Sequence, residues 1–313
     1  MIAMKRITAV FSFFLLLTFG ASATPLGFSA RTAIPAQVQQ IISVDYRALR
    51  NSESGMALKS RVLPENLKQF EQALRRMAID PDQDIEQLAF VSFRDNGMTR
   101  SIGLAQGVYD TRKFQARFKA KGSKAEKYHQ NDLYNTGTGM VVSFLDSTTM
   151  LFGDPTAVKK SLNVRDGDAE SLGSNAEVND LISSVEGDAV WSVLDKAGTQ
   201  HMMASALGEA SSLSDYSSVR KRMLGSRYAV NFNHGISFSL DVVTTDTVAA
   251  GTLASLFKAG MVYKRSTGTA VEKEALNDIS VDNSSSDLQL RFKAEDKKFQ
   301  SLLHSDLFAA VAR

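Results

Sequence analysis

The chain has four histidines, His129, His201, His234 and His304, and no cysteine. Without a thiol, a nucleophile would have to be a hydroxyl activated by one of these imidazoles and held by a third group. No Gly-x-Ser-x-Gly elbow is present. His234 falls in a tight turn and His129 at a strand end. His304 lies near the end of the last helix, where a histidine meets the dipole favourably. His201-Met202-Met203 offers soft ligands of the kind copper prefers. Adjacent helical residues point about 100° apart, however, so two core methionines beside a histidine is the simpler account. Asp80, Asp82 and Asp84 alternate as in a calcium loop. That loop needs Gly at its sixth position and Glu at its twelfth, where Ile85 and Val91 stand. Gly137-Thr138-Gly139 lacks the lysine and third glycine of a phosphate loop. Two carboxylates could hydrolyse a glycoside, but linear spacing does not pair them. No catalytic residue, metal site or cofactor is indicated.

One set of polar residues does share a surface. Asn231, Asn233, Ser237, Ser239 and Asp241 recur at every second position of two neighbouring segments, and Gln289 and Arg291, followed by Lys293, do so in a third. Strand side chains alternate between faces, so each set lies on one side of a sheet. The face is either simply solvated, as antiparallel sheets often are, or a surface for a ligand or partner.

The elements that must carry these residues come next. Tyr228, Val230 and Phe232, then Ile236, Phe238, Leu240 and Val242, occupy the alternate positions, which predicts an apolar-backed hairpin turning at His234-Gly235. Asp246 can cap a following helix with an apolar stripe from Val248 to Val262. This hairpin-then-helix unit recurs. It is read at Leu88–Arg94 and Arg100–Gly107 around Asn96-Gly97, with Phe114 and Phe118 following. It is read again at Met140–Leu145 and Thr149–Phe152, and again at Ile279–Val281 and Leu288–Phe292. Strand candidates Ile41–Tyr46 and Ala189–Leu194 precede the first and third hairpins. The order repeats at offsets near 140 residues, which predicts an internal duplication. Lysines from Lys113 to Lys127 mark an exposed turn and edge strand.

Asp-Pro-x-x-Asp-Ile leads from Asp80 into a strand at Ile85, and Gly-Asp-Pro-x-x-Val starts a helix from Gly153 to Val158. With these motifs the chain resembles exported bacterial proteins of unknown function built from repeated hairpin-plus-helix units. The resemblance covers most of the chain beyond its leader. It implies a fold and carries no activity.

Lys5-Arg6, an apolar run from Ile7 to Phe19 and Ala21-Ser22-Ala23 form the three parts of a secretory leader. Residues 1–23 are expected to be removed, leaving no membrane span and placing the protein in the periplasm or outside the cell. Of 36 Lys and Arg, Lys5 and Arg6 leave with the leader, so 34 basic residues face 34 acidic ones. That balance argues against nucleic acid as a partner. An exported chain without disulfides is held by its core alone.

The expected fold is α+β, in two similar halves, each a mostly antiparallel sheet with helices packed on one face. The halves are residues 37–165 and 175–313, after an extended lead-in at 24–36. The expected function is non-catalytic binding or assembly in the cell envelope, with an unidentified envelope or extracellular protein or ligand as partner. Two alternatives stay open: a hydrolase with a site between the halves, and a carrier of a lipophilic ligand.

Overall fold

The computed structural model describes residues 25–62, 71–72, 74–75, 79–120, 124–137, 139–212, 214–233 and 235–303. The expected leader, His234 and His304 lie outside these residues. The protein is α+β, built on one twelve-stranded antiparallel sheet. In chain order the elements are α1 (Phe28–Ala33), β1 (Val38–Asp45), α2 (Tyr46–Arg50), α3 (Glu53–Val62), α4 (Pro81–Asp84), β2 (Ile85–Asp95), β3 (Met98–Gly107) and α5 (Thr111–Ala120). Then come β4 (Glu126–Tyr128), β5 (Asn131–Asn135), β6 (Val141–Phe144), β7 (Thr149–Gly153), α6 (Pro155–Arg165), α7 (Ala176–Ser183), β8 (Val190–Leu194) and α8 (Lys196–Leu207). Last are α9 (Ser214–Arg220), β9 (Met223–Asn231), β10 (Ile236–Thr244), α10 (Thr247–Thr267), α11 (Ala270–Asn277), β11 (Ile279–Ser284), β12 (Asp287–Ala294) and α12 (Asp296–Leu303).

Spatial order is β11-β12-β10-β9-β8-β1-β2-β3-β7-β6-β5-β4. Outward from the β1–β8 pair, one side runs β1-β2-β3-β7-β6 and the other β8-β9-β10-β12-β11. Each hairpin keeps its place. The seam strands join the two sides directly, with Ile41 opposite Val193 and Ser43 opposite Trp191.

Local chemistry explains the elements. Asn96 (φ 50°) and Gly97 (φ 80°) form the tight turn of the β2–β3 hairpin. Aspartates close the strand-to-helix corners. Asp45 accepts from the amides of Arg47 and Ala48, Asp154 from Thr156 and Ala157, Asp195 from Gly198, and Asp246 from Ala249. Each satisfies amides that a helix start leaves unpaired. Arg75 pairs with Asp80 and Asp82, and Lys59 also reaches Asp82 at 3.2 Å. Asp80 and Asp82 are thus paired with cations, Asp84 Oδ2 accepts from the Asp80 amide at 2.7 Å, and α4 makes their stretch a connector.

Two cross-strand rows show how the sheet is covered. On one face, Val281, Leu290, Leu240, Tyr228, Ser192, Ile42, Phe90, Gly103, Phe152, Val142 and Tyr134 stand opposite one another in turn. Helices cover this face toward both ends of the sheet, while in its middle Ile42 and Phe90 are half-buried and Ser92 and Ser101 are partly to fully exposed. Phe114 and Phe118 of α5 pack beside Phe144 and Tyr134, Met203 of α8 and Leu253 of α10 pack on Leu240 and Val242, and Phe299 of α12 packs on Val230. On the opposite face, Val193, Ile41, Val91, Ile102 and Val141 lie under α1, α6 and α7 through Ala30, Val158, Leu162, Val178 and Leu181.

Two details therefore differ from expectation. Helices lie on both faces of one sheet, because β7 is buried throughout and needs cover on each side. The lead-in is not extended: Phe28–Ala33 is helical, with Ala30 and Ala33 fully buried. The segment linking α6 to α7 is also drawn in. Its Leu172 is fully buried, and the Leu172 amide donates to Ile34 O at 2.7 Å.

Gly103 leaves the space that the Phe152 ring fills across the β3–β7 pair. A Cβ there would stand 2.0 Å from Phe152 Cζ. Gly103→Ala is expected to destabilise the protein by about 1–3 kcal/mol in urea unfolding, with Phe152→Leu recovering part of the loss. Asp246 tests capping by pH. The Ala249 amide first, then the Thr245 hydroxyl, with Arg222 adding to them, hold its carboxyl down from 3.8 to about 2. Its contribution is present above the ordinary carboxylate value and is lost as pH falls through about 2. Asp246→Ala should lower Tm at neutral pH, and the difference from the native chain should close across that acid window.

Candidate binding face of the sheet

The second cross-strand row changes character at β9. Continuing from Ile41 and Val193, it passes to Arg227, Asp241, Gln289 and Asp282. Among the described residues the cover on this face ends with α7, whose Leu181 lies against Gly225. A Cβ at Gly225 would stand 2.8 Å from Leu181 Cδ1. Beyond that contact the face is polar.

Its centre is a ladder of charges. Arg291 Nη1 donates to Asp241 Oδ1 at 2.5 Å, and also to Leu290 O at 3.0 Å. Asp241 Oδ2 accepts from Arg227 Nε at 3.3 Å, and Arg227 Nη2 donates to Asp287 Oδ2 at 3.2 Å. Asp241 and Arg227 are largely withdrawn from water, with side chains 14% and 17% exposed, whereas Arg291 is 40% exposed. Burial pushes the Asp287 carboxyl up; Arg227 opposes that shift and Asp241 adds to it. Two carboxylates thus share one guanidinium, and the ladder's two positive and two negative charges balance.

Of the polar residues expected to share a surface, Ser237, Ser239, Asp241, Gln289 and Arg291 do so. Ser239 stands opposite Arg291, and Asp241 opposite Gln289. Asn231 serves the frame instead. Its Oδ1 accepts from the Ala189 amide at 3.0 Å and its Nδ2 donates to Asp188 Oδ1 at 2.5 Å, fixing the entry to β8. Asn233 lies past the end of β9, exposed in the turn. Arg227 and Asp287 join the face without having been singled out. Carrying the same two-residue period back from Ala229 and from Gln289 reaches both.

The histidines stay apart from this face. His129 occupies the β4–β5 turn at φ 51°, its ring 4.5 Å from that of Tyr128. His201 is exposed on α8, whereas Met203 is fully buried and Met202 packs beside it. Among the described residues no group of three or more His, Cys, Asp or Glu is placed to hold a metal ion. Among them, too, no helix is long and apolar enough to cross a membrane.

A cleft of about 290 Å³ lies at the end of the β1–β8 seam, between β1, the end of β2, α7, the start of α8 and Leu224.

Removing the shared cation tests the ladder. Arg227→Met leaves Asp241 and Asp287 facing each other and is expected to cost about 1–2 kcal/mol near pH 7, allowing for partial screening. Because burial already raises Asp287, protonation should relieve the repulsion. The loss in urea unfolding should shrink as pH falls toward the carboxylate range, and Asp287→Asn should recover part of it at neutral pH.

No protein-family model matches the chain, and no curated protein does. Solved structures do resemble it. A crystal form III structure of TP0453 superposes with a TM-score of 0.51 at 9% identity, covering 90% of this chain and 98% of that one. Crystal form I of TP0453 gives a TM-score of 0.49 at 10% identity, covering 91% and 99%. At such identity the likeness concerns the fold alone.

Proposed function

We propose that this chain is an exported, non-catalytic binding or structural protein of the cell envelope, acting through the open face of β9, β10, β12 and β11. The observation that carries this reading is the break in cover along one cross-strand row. The row is apolar and roofed by helices from β8 to β6. It is polar from β9 to β11, where Arg227, Asp241, Gln289 and Asp282 stand in line. The charges at its centre are spent on one another, which suits a surface that is held rigid and bound through hydrogen bonds. A rigid, pre-formed surface loses little side-chain freedom on association. The leader at residues 1–23 supports a destination in the periplasm or outside the cell. The repeated strand order outward from the seam supports an internal duplication. It also supports a kinship with exported proteins built from hairpin-plus-helix units.

The test is affinity capture from cell-envelope extract and culture supernatant with the leaderless chain and with a Ser239→Gln, Gln289→Arg double variant. Both positions are only partly buried, so stability should change by no more than about 0.5 kcal/mol at each. Loss of the captured species with the variant, at unchanged Tm, is expected. Equal capture by both chains would move the binding surface elsewhere.

A further inference from the structure

We infer that the cleft at the end of the β1–β8 seam is a site for a small zwitterion with an apolar side chain, an amino acid or a dipeptide. The inference is independent of the open polar face.

The floor of the cleft is apolar. Val38, Val178 and Leu181 are each at least nine-tenths buried, and Leu224, 46% exposed, forms its lip. The rim is charged. Arg94 comes from the end of β2, Asp195 and Lys196 from the start of α8, and Glu177 from the first turn of α7. Asp195 is already engaged on both oxygens: Oδ1 accepts from the Gly198 amide at 2.7 Å, and Oδ2 from Arg94 Nη2 at 2.9 Å. Glu177 and Lys196 are exposed, and neither has a hydrogen bond or ion pair with another described residue. The rim therefore offers one uncompensated carboxylate and one uncompensated ammonium. Arg94, a five-donor guanidinium with one donor used on Asp195, adds further N–H groups.

That combination selects the ligand. A simple anion would meet Glu177, and a simple cation would meet Lys196 and Arg94. A neutral apolar molecule would leave the rim unused. A zwitterion answers both charges, its ammonium toward Glu177 and its carboxylate toward Lys196 and Arg94, while its side chain covers Val178, Leu181 and Leu224. The volume of about 290 Å³ is at the lower end for ligand pockets and admits little beyond a dipeptide. The walls are pre-formed. Asn175 caps α7 through Oδ1 and donates from Nδ2 to Ala36 O at 2.8 Å. The Arg94 amide donates to Gln37 O at 3.0 Å, and the Asp195 amide to Gln39 O at 2.9 Å. Binding thus need not order the backbone of the site, only the exposed side chains of Glu177 and Lys196.

The experiment titrates leucyl-leucine into the full chain without its leader, followed by calorimetry and by methyl NMR of Val38, Val178, Leu181 and Leu224. N-acetyl-leucyl-leucinamide, the same side chains without end charges, is the control. Saturable binding with Kd on the order of 0.1–1 mM is expected, roughly tenfold weaker for the capped control. Glu177→Gln and Lys196→Gln should each weaken leucyl-leucine about fivefold with little change in Tm, because neither side chain has a hydrogen bond or ion pair with another described residue and only the first-turn position of Glu177 touches stability. Absence of saturable binding, equal binding of the capped peptide, or variants that bind as the native chain does would each overturn the assignment.

Discussion

The pairing of β1 with β8 is the contact through which the sheet becomes one object. Five residue pairs, from Gln40–Leu194 to Val44–Val190, join strands that otherwise belong to separate runs of hairpins. Without it each run would end in a bare edge strand rich in Val, Ile and Trp, the kind of edge that pairs with other chains. The pairing also lets one core form. Trp191 and Val193 share their cluster with Ile41, Val91 and Phe93, roofed by helices from both sides of the seam. The Asn231 bridge to Asp188 and Ala189 sets the entry of β8, and so fixes the register on which these contacts depend.

Cover decides the rest of the pattern. A strand roofed on one side alternates apolar and polar residues, whereas one roofed on both is apolar throughout. β10 is the first kind, with Leu240 and Val242 inward and Ser239 and Asp241 outward. β7, whose five residues are all buried, is the second. The helix after each hairpin accordingly has two destinations. α12 returns to the face of Val230 and Phe238, while α6 crosses to the other and shields Ile102 and Leu151. Where no helix among the described residues crosses, the surface is left to Arg227, Asp241, Asp287 and Arg291, which satisfy one another.

Much of this was legible in residue order. Period-two alternation located the β9–β10 hairpin and divided it into its two faces, and the recurring strand–turn–strand pattern located β2–β3, β6–β7 and β11–β12. Aspartate at the corners marked where Asp154 and Asp246 begin helices. The face residues Ser237, Ser239, Asp241, Gln289 and Arg291 followed from the same alternation. Other features left no local trace. α1 is six residues long and begins at Gly27 with no side-chain cap, so its helix depends on burial of Ala30 and Ala33, with α1 packed beside α6 and β7. Asn231 has the residue type of a surface group and the task of a brace. The crossing of α6 was hinted at by Met150-Leu151-Phe152, an unbroken apolar run that one covered face does not require. The seam cleft draws on five separate stretches of chain, from Ala36 to Leu224, and no spacing rule gathers them.

The seam has a kinetic consequence as well. Its partners are far apart along the chain: Gln40 and Ser192, which meet across it, are separated by 152 residues. Hairpins with tight turns close in about 1–10 μs. Bringing distant segments together forfeits more chain freedom, about 0.6 kcal/mol for each doubling of the loop, and that freedom is lost before any contact rewards it. Trp191 and Ile41 consequently stay bare for as long as the two runs of hairpins remain undocked. In a polypeptide with no disulfide to hold those runs near each other, the interval open to misassociation is set by this one long-range closure.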